Sequence, residues 1–504
     1  MRRCATLLVG LAIGATACSG VTADTATPAA PTTTSPSNTT STSRAPSSTV
    51  GPSAGLDRPP NPPAQTLGIG DDYFPQLGNP GYDVQHYTLD LVFEPETNQL
   101  GAVTTIAATA TTGLDTINLD FASLTVSAVS VDGSPAGFTA ADEELTIAPA
   151  APIAAGEDFV VDVEYSGSPQ ATRSGAMPFG IGWQTAGSQN YVVAEPDAAH
   201  TWFPANDHPL DKATYTFRIN VPDGLIAAAN GTLVDRLTDL GRTTWVWELE
   251  SPMAPYLATV VIGDFEIVED SAAAAVAGVP IRHVLPAGTT LEDWPGLERQ
   301  GEMIAVLADL FGPYPFENYG IALVDGFGAA LENQTLSVFD RNIATSFFFE
   351  AVLIHELAHQ WFGDSVSLGR WSDIWLNEGF ASYAEWLWIE REDGRDVMEQ
   401  EIAAERDEYD GAGLTAPGVP PAFDLFNASV YRVGAMTLHA LRLTVGDAAF
   451  FEIVQTYAAT YADRSVTTED FITVAESVAG IELDDLFEAW LIDAKVPEFP
   501  QARG

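Results

Sequence analysis

Cysteine, histidine and basic side chains are all scarce in this chain. Its 504 residues include 7 His and only 2 Cys, Cys4 and Cys18, so the chain beyond residue 18 can form neither a disulfide framework nor a catalytic thiolate. Any metal bound there must therefore be held by nitrogen and oxygen ligands. The chain has 21 Lys and Arg against 69 Asp and Glu, which gives a formal net charge of −48. This balance argues against nucleic acid as a partner, because phosphates are bound through Lys and Arg. Most of the acidic residues are expected to form a solvated surface.

The apolar run at the start of the chain is too short to span a bilayer as a permanent helix. Residues 1–18 begin with two arginines, continue with an apolar stretch and end in small residues, which is typical of a secretory signal peptide. Two cleavage sites are compatible with this segment. Ala15-Thr16-Ala17 fits an ordinary A-x-A site. Ala17-Cys18 fits a bacterial lipobox, in which Cys18 becomes the lipid-modified first residue, although Ala15 stands where Leu is usual.

The residues that follow Cys18 favour the lipobox. Residues 19–66 consist almost wholly of Ser, Thr, Pro, Ala and Gly, so they cannot bury a core and are expected to form an extended tether. A tether is useful behind a lipid anchor. We therefore expect an exported lipoprotein on the outer face of a bacterial cytoplasmic membrane, with free secretion as the alternative.

Residues 67–268 are predicted to form an amino-terminal all-β domain. Six stretches alternate between polar and apolar residues, and turn residues such as Asp132-Gly133 separate them. These predicted strands are Tyr87–Phe93, Thr116–Phe121, Leu124–Val131, Phe159–Tyr165, Tyr215–Val221 and Thr244–Leu249.

Residues 269–500 are predicted to form a second, mainly helical domain. Leu297–Phe311 has helical spacing and is stopped by Gly312-Pro313, and long helical segments follow to about residue 490. The predicted fold class is therefore multidomain α+β, with the all-β domain first.

The helical region contains the sequence His355-Glu356-Leu357-Ala358-His359. Two histidines four residues apart on a helix project from the same face, close enough to hold one metal ion. Glu356 lies between them, where it can take a proton from a water. The flanking residues are apolar, so the helix is expected to be buried. A buried His-Glu-His group without a metal would leave charge and donors unpaired.

A catalytic zinc takes three protein ligands and leaves one position open. Glu378 follows His359 after 18 intervening residues. Gly363 is expected to end the first helix, and Asn377 to cap a second helix that begins at Glu378. Helix, loop and helix would return this carboxylate to the two imidazoles, so His355, His359 and Glu378 are predicted to bind one zinc ion. Candidates for orienting these ligands are Asp364, Ser382 and Glu385.

The segment from His355 to Glu385 resembles the zinc aminopeptidases related to aminopeptidase N, within the gluzincin metallopeptidases. Further stretches match the same family over about residues 70 to 500, including Met253–Thr259 at the end of the β region. The resemblance implies a thermolysin-like catalytic domain beside the β domain, with the active site between them. Larger members carry a big helical domain where this chain ends soon after Trp490, so a short form without it is expected.

The resemblance gives Tyr431 a catalytic role. Tyr431-Arg432-Val433-Gly434-Ala435 is similar to the family's Tyr-x-Lys-Gly-Ala stretch, whose tyrosine donates a hydrogen bond to the oxygen that becomes negative during hydrolysis. Val433 replaces the usual Lys.

An aminopeptidase differs from an endopeptidase in having carboxylates that bind the free ammonium and thereby place the first peptide bond at the metal. Gly328–Asn333 resembles the family's Gly-Ala-Met-Glu-Asn loop, with Ala329 at the glycine. By this resemblance Glu332 would bind the ammonium, and the backbone of the loop, which includes Ala329 and Asn333, would pair with the extended substrate.

A second ammonium-binding carboxylate is implied in the β domain. Val193-Ala194-Glu195-Pro196, followed by Trp202-Phe203-Pro204 and Lys212-Ala213-Thr214, resembles the corresponding family segment. Glu195 would then join Glu332 at the ammonium. Val193 replaces a Gln or similar residue, which bears on specificity more than on mechanism.

The sequence therefore predicts a monomeric zinc aminopeptidase that acts on peptides with a free amino terminus, with Glu356 as the general base. Two alternatives remain. One is an endo-acting metallopeptidase with the same zinc chemistry, against which Glu195 and Glu332 argue. The other is a catalytically inactive envelope lipoprotein that binds peptides, against which the intact set of metal ligands argues.

Overall fold

The computed structural model describes residues 68–493 and 495–501. The predicted signal peptide, residues 1–18, and the predicted tether, residues 19–66, lie outside the described residues. Within the described part of the chain, no helix combines the length and the apolar character that crossing a membrane requires.

The first region is built of antiparallel and mixed sheets. In chain order its strands are β1 (Tyr82–Glu94), β2 (Gln99–Ala110), β3 (Ile117–Asp120), β4 (Thr125–Val131), β5 (Ser134–Pro135), β6 (Gly137–Ala141), β7 (Glu144–Ala148), β8 (Asp158–Gly167), β9 (Ala171–Arg173), β10 (Gly180–Ala186), β11 (Gln189–Val193), β12 (Ala213–Pro222), β13 (Ile226–Ala229), β14 (Thr232–Asp239), β15 (Arg242–Met253) and β16 (Val260–Gly263).

Three sheets organise these strands. An 8-stranded sheet has the order β14-β15-β12-β1-β2-β8-β4-β5, a 5-stranded sheet has the order β13-β16-β11-β10-β9, and a 3-stranded sheet has the order β3-β7-β6. All six predicted strands are confirmed, because each falls on an observed strand. The alternation that identified them is real: along β1, Tyr87, Leu89, Leu91 and Phe93 are buried while residues between them face outward or half-outward.

The second region combines helices with a small sheet. Its elements in chain order are β17 (Phe265–Glu269), α1 (Ser271–Ala277), β18 (Arg282–Pro286), α2 (Gln300–Phe311), β19 (Ile321–Val324), β20 (Ala330–Leu331), β21 (Ser337–Asp340), α3 (Arg341–Ala344), α4 (Phe349–Ala358), β22 (Val366–Leu368), α5 (Trp375–Asp393), α6 (Arg395–Tyr409), α7 (Gly434–Val445), α8 (Asp447–Thr460), β23 (Arg464–Val466), α9 (Thr468–Ala479) and α10 (Asp484–Phe487).

The sheet of this region was not predicted from the sequence. Its order is β17-β18-β19-β21-β20, with β18, β19 and β21 parallel. Ile321–Val324 is fully buried, and a short apolar run of this kind does not distinguish a strand from a buried helix. The edge strand β20 ends at Leu331, immediately before Glu332. The sheet therefore places Glu332 near α4.

Two glycines allow α5 to lie unusually close to the start of α7. A Cβ added to Gly379 would come within 3.0 Å of the backbone carbonyl carbon of Gly434. Only residues without side chains permit this approach. Because Gly379 follows Glu378 and Gly434 ends the π-helical turn Ser429–Val433, the contact brings the carboxylate and Tyr431 to the same place.

The predicted fold class, an all-β region followed by a mainly helical one, is confirmed. The chain passes from one to the other between β16 and β17, since β17 already pairs with β18. The predicted boundary at residues 268 and 269 stays a prediction.

Candidate active site

His355 and His359 face the same way from the end of α4. Their ring centroids are 4.9 Å apart. His355 lies within the helix, and His359 is the residue just after it but keeps helical backbone angles. The spacing of four residues therefore places both imidazoles on one face, as the sequence predicts.

Glu378 completes a group of three side chains that could hold a metal ion. Its Oε2 lies 3.2 Å from Nε2 of His355 and 3.5 Å from Nε2 of His359. Ligands about 2.0–2.1 Å from a tetrahedral zinc lie about 3.3 Å from one another, so these separations fit that ion. The two-nitrogen, one-oxygen donor set fits it as well.

The other ring nitrogens are held by acceptors that fix which nitrogen faces Glu378. Nδ1 of His355 lies 2.9 Å from Oε1 of Glu385, and Nδ1 of His359 lies 3.1 Å from the carbonyl oxygen of Phe362. Each ring can therefore donate from Nδ1 and direct Nε2 toward Glu378 and a metal ion.

Of the three residues considered for orienting the ligands, Glu385 contacts one. The carboxylate of Asp364 instead accepts from Nε2 of Gln360 at 2.7 Å. Oγ of Ser382 is buried and has no hydrogen-bond partner among the described residues.

Two expectations about the helix ends are wrong. Helix α4 ends at Ala358 rather than at Gly363, because the amides of Gln360 and Trp361 bond three residues back and tighten the chain into turns. Helix α5 begins at Trp375, so Asn377 is inside it and does not cap it. The chain enters α5 directly from the 3-10 turn Trp371–Asp373, which replaces a side-chain cap.

This candidate metal-binding group lies at the wall of a cavity of about 250 Å³. Its polar lining consists of Glu195, Glu332, His355, Glu356, His359, Glu378 and Tyr431. Its apolar lining consists of Met177, Phe179, Ile181, Val193, Phe327, Ala329, Ala330, Leu331, Ile343, Phe348 and Val352. The structure thus brings together residues from both regions of the chain.

Asn333 is the one predicted site residue that does not line the cavity. Its Nδ2 donates to the carbonyl oxygen of Leu257 at 2.9 Å, which ties the loop after β20 to the β region. Ala329, Glu332 and Glu195 do line the cavity.

The apolar walls were missed from the sequence. Met177, Phe179 and Ile181 line the cavity from the bend before β10 and from its start, and Phe327 contacts Phe179 edge to face at 5.7 Å between centroids. An apolar residue that lines a cavity and one that fills a core look alike in a sequence, so no signal distinguished them.

Two carboxylate oxygens in the cavity lack partners. Oε1 of Glu195 and Oε1 of Glu332 are buried and make no hydrogen bond among the described residues. A buried carboxylate oxygen without a donor is costly. The pair therefore forms a site that a donor with positive charge would satisfy.

Burial shifts the pKa values of the carboxyl groups that are not metal ligands. Burial first, and the charges of Glu332 and Glu378 in addition, raise the pKa of Glu356 to about 8, although the two histidines oppose the shift. Burial also raises the pKa of Glu332 and of Glu195. A positive charge in the cavity would favour their ionised forms.

Glu378 and the imidazoles show the opposite shifts. Burial acts to raise the pKa of Glu378, but the charge of His359 and the hydrogen bond with His355 outweigh it and lower this pKa to about 2. Burial opposes charging of His355, but its bonds with Glu378 and Glu385 raise its pKa to about 10. The buried carboxylate of Glu378 is therefore stabilised by nearby positive charge. A divalent metal ion would supply that charge once the two imidazoles have lost their protons.

Tyr431 lies over the imidazole of His355. The two rings are stacked, with centroids 6.0 Å apart and planes 17° apart. Burial, together with the charges of Glu378 and Glu195, raises the pKa of Tyr431 well above its ordinary value. Its hydroxyl is therefore protonated at neutral pH and can donate.

Two family models match the chain. The peptidase family M1 domain matches residues 296–490, and the peptidase M1 N-terminal domain matches residues 83–257. The first match contains the three metal-binding side chains, and the second contains Glu195.

Solved structures and curated relatives agree with these models. An M1 zinc metallopeptidase from Deinococcus radiodurans is 34% identical, with a TM-score of 0.79, and the match covers 87% of this chain and 99% of that one. A mutant of it, bound to a Tyr-Ser-Ala substrate, matches with a TM-score of 0.78. Aminopeptidase M1-B of Oryza sativa subsp. japonica is 28% identical over 60% of this chain, and aminopeptidase B of Rattus norvegicus is 28% identical over 64%. This chain spans only 37% and 50% of the lengths of those two relatives.

Proposed function

The chain belongs to peptidase family M1, and on that premise we propose that it is a zinc-dependent aminopeptidase that releases residues one at a time from the amino termini of peptides. The observation that carries the proposal is the pair of unpartnered oxygens on Glu195 and Glu332 beside the three metal-binding side chains. An endopeptidase needs the metal-binding group but has no use for two buried acids without donors.

One zinc ion would be held by His355, His359 and Glu378. When bound, zinc supplies a Lewis acid that activates water for attack at neutral pH. A second group of close ligand atoms, Glu332, Glu356 and His359, shares His359 with the first. One ion is therefore proposed, with Glu332 and Glu356 left for other roles.

Glu356 would act as the general base and then as the acid. Its carboxylate accepts the proton of the attacking water and gives it to the nitrogen of the leaving peptide. Its raised pKa, about 8, suits both directions of transfer near neutral pH.

Tyr431 would stabilise the carbonyl oxygen as it becomes negative. A neutral phenol donates to an oxyanion without adding charge to the site. The stacking on His355 supports this role, because it holds the phenol beside a metal-binding side chain.

Glu195 and Glu332 would bind the ammonium of the substrate. The loop that begins at Ala329 would pair through its backbone with the extended peptide, a role to which Asn333 contributes by anchoring the loop. Binding the ammonium at a fixed place restricts hydrolysis to the first peptide bond.

We further propose that the protein is exported and held at the outer face of a bacterial cytoplasmic membrane through a lipid on Cys18. Residues 19–66 support this proposal by their tether-like composition. Secretion after cleavage at Ala17 is the alternative, and the mature protein is expected to be a monomer. Substitution Cys18→Ser tests the anchor, since it should abolish incorporation of a radiolabelled fatty acid and release the protein from membranes.

A peptide offered to the purified protein in two forms tests the activity. One form has a free amino terminus and the other is acetylated, and mass spectrometry follows both. Stepwise shortening of only the free form is expected. Internal cleavage of both forms would identify an endopeptidase. No cleavage of either form with zinc added would indicate a peptide-binding protein.

A further inference from the structure

The side chain of Gln360, which lies in the turn just after α4, contacts the loop that carries Glu332. Its Nε2 donates to the carbonyl oxygen of Glu332 at 2.9 Å and to Oδ2 of Asp364 at 2.7 Å. Its Oε1 accepts from the amide of Thr335 at 2.9 Å and lies 3.3 Å from the hydroxyl oxygen of Tyr314, which is closer to the carbonyl oxygen of Asn318, at 3.0 Å. Gln360 is fully buried, and both donors and the oxygen of its amide find partners inside the protein.

The same loop is fixed to the β region from its other side. Asn230 donates from Nδ2 to the carbonyl oxygen of Gln334 at 2.7 Å, and the amide of Gly231 donates to Oγ1 of Thr335 at 2.8 Å. Thr335 has a φ of 65°, which a β-branched residue adopts only when its surroundings hold it there. Hydrogen bonds from the β region and from Gln360 therefore hold the loop after Glu332 on two sides. Those from Gln360 connect it to the turn that follows α4.

The hydrogen bond from Gln360 to Glu332 bears on the metal site because Gln360 is the neighbour of His359 in the chain. Gln360 follows His359 directly in the chain, while its side chain holds the backbone of Glu332. One side chain thus connects a metal-binding residue to a residue that faces the ammonium.

We propose that Gln360 is a positioning residue that fixes the distance between the ammonium-binding carboxylate of Glu332 and the metal, and thereby confines hydrolysis to the first peptide bond. The inference rests on the proposed aminopeptidase function. It names the residue that sets where the amino terminus of the substrate lies relative to the metal. Glutamine fits this position because one planar group supplies the two donors and the acceptor that the surrounding groups use. Leucine offers none of them, and glutamate offers no donor for the carbonyl of Glu332.

Variants Gln360→Leu and Gln360→Glu test this role in the zinc-loaded full chain. The matched control is Ser367→Ala, which removes a buried hydrogen bond to the carbonyl oxygen of Asp364 at 3.0 Å but none to the Glu332 loop. For each protein we would measure kcat and KM with free and acetylated peptides. Calorimetry would give the Kd of leucinamide and of its acetylated form, and chelator competition would give the Kd for zinc.

Gln360→Leu is expected to raise KM and the Kd of leucinamide about tenfold, and to reduce the preference over the acetylated compounds by the same factor. Zinc affinity should stay within about threefold of wild type, and Ser367→Ala should match wild type in all these values. If Gln360→Leu does not fold, Gln360→Glu keeps the volume and both acceptors and should show the same shift.

An unchanged preference for free amino groups, accompanied by weaker zinc binding, would overturn the inference and leave Gln360 as a support of α4 alone. A wild-type protein that binds leucinamide no better than its acetylated form would instead overturn the proposed function itself. The two failures are therefore distinguishable.

Discussion

Glu385 connects the imidazole of His355 to the guanidinium of Arg432. Oε1 of Glu385 accepts from Nδ1 of His355 at 2.9 Å, and Oε2 accepts from Nη1 of Arg432 at 3.1 Å. Arg432 is buried and also lies 3.6 Å from Oε2 of Glu405. The carboxylate that contacts Nδ1 of His355 is therefore itself held in place by a buried cation.

Removing that cation should weaken zinc binding. In Arg432→Met the carboxylate of Glu385 loses its partner, so the orientation of His355 is no longer enforced, and the Kd for zinc is expected to rise about 10- to 100-fold. Competition with a chromophoric chelator measures this change. The matched control is Arg442→Met, which removes another buried arginine, paired with Glu390 and Asp447. Equal zinc affinities in the two variants would show that Arg432 supports only the fold.

Replacing the proposed base should separate catalysis from binding. In Glu356→Gln the side chain keeps its size but cannot accept the proton of the attacking water, so kcat is expected to fall about 10²- to 10⁴-fold. KM and the zinc Kd should change little, since neither the metal ligands nor Glu195 and Glu332 are altered. Steady-state kinetics with a fluorogenic aminoacyl amide, together with zinc content, give both values. A variant with more than a tenth of wild-type kcat would contradict this assignment of the base.

The candidate metal-binding group could be predicted from the sequence because most of its signal is local. Helical periodicity alone places His355 and His359 on one face, and α5 returns Glu378 to them as expected. The predicted strands were equally local, since their alternation gives one buried face. Strand β2 was not predicted, although it lies in the middle of the largest sheet between β1 and β8. Its alanines and threonines give little apolar contrast along the strand.

Contacts between distant segments could not be predicted in this way. Arg432 and Gln360 stand beside predicted site residues, but their partners Glu385 and Glu332 are 47 and 28 positions away. Nothing in the sequence gives the direction in which either side chain points. For the same reason the bond from the side chain of Asn333 to the carbonyl oxygen of Leu257 was not foreseen, and the role of this residue at the substrate stays a prediction.

The apolar lining of the cavity leads us to expect a preference for certain amino-terminal residues in the substrate. All its lining apart from the acids, the two histidines and Tyr431 is apolar, and none of the described lining residues is Lys or Arg. Leu, Met and Phe can bury their side chains there, whereas Asp and Glu would meet several carboxylates without a cation. We expect kcat/KM to be at least about 100-fold higher for leucyl than for glutamyl amides.

A substitution tests which wall selects the aromatic residues. Phe327 contacts Phe179 and also Tyr191, at 6.5 Å between centroids. Phe327→Ala enlarges the cavity on this side and is expected to lower kcat/KM for phenylalanyl amide about tenfold more than for alanyl amide. The exposed Phe423, changed to Ala, is the control. A uniform loss across substrates would contradict selection at this wall.

Asp71 should make the stability of the protein dependent on pH in acid. Burial acts to raise its pKa, but a hydrogen bond from His208 and backbone amides including that of Trp371 outweigh it and lower the pKa to about 2, from 3.8. Because the folded-state pKa lies below the unfolded value, the stabilisation is complete above about pH 4 and is lost as pH falls from there toward 2.

Asp71→Asn should therefore reduce the free energy of unfolding by about 2 kcal/mol at pH 7, and the difference from wild type should shrink as the solution approaches pH 2. Urea unfolding at several pH values measures this. The control is the exposed neighbour Asp72, whose change to Asn should leave the pH profile of stability unaltered. If the difference between Asp71→Asn and wild type persists undiminished near pH 2, the backbone amides need the shape of the side chain rather than its charge.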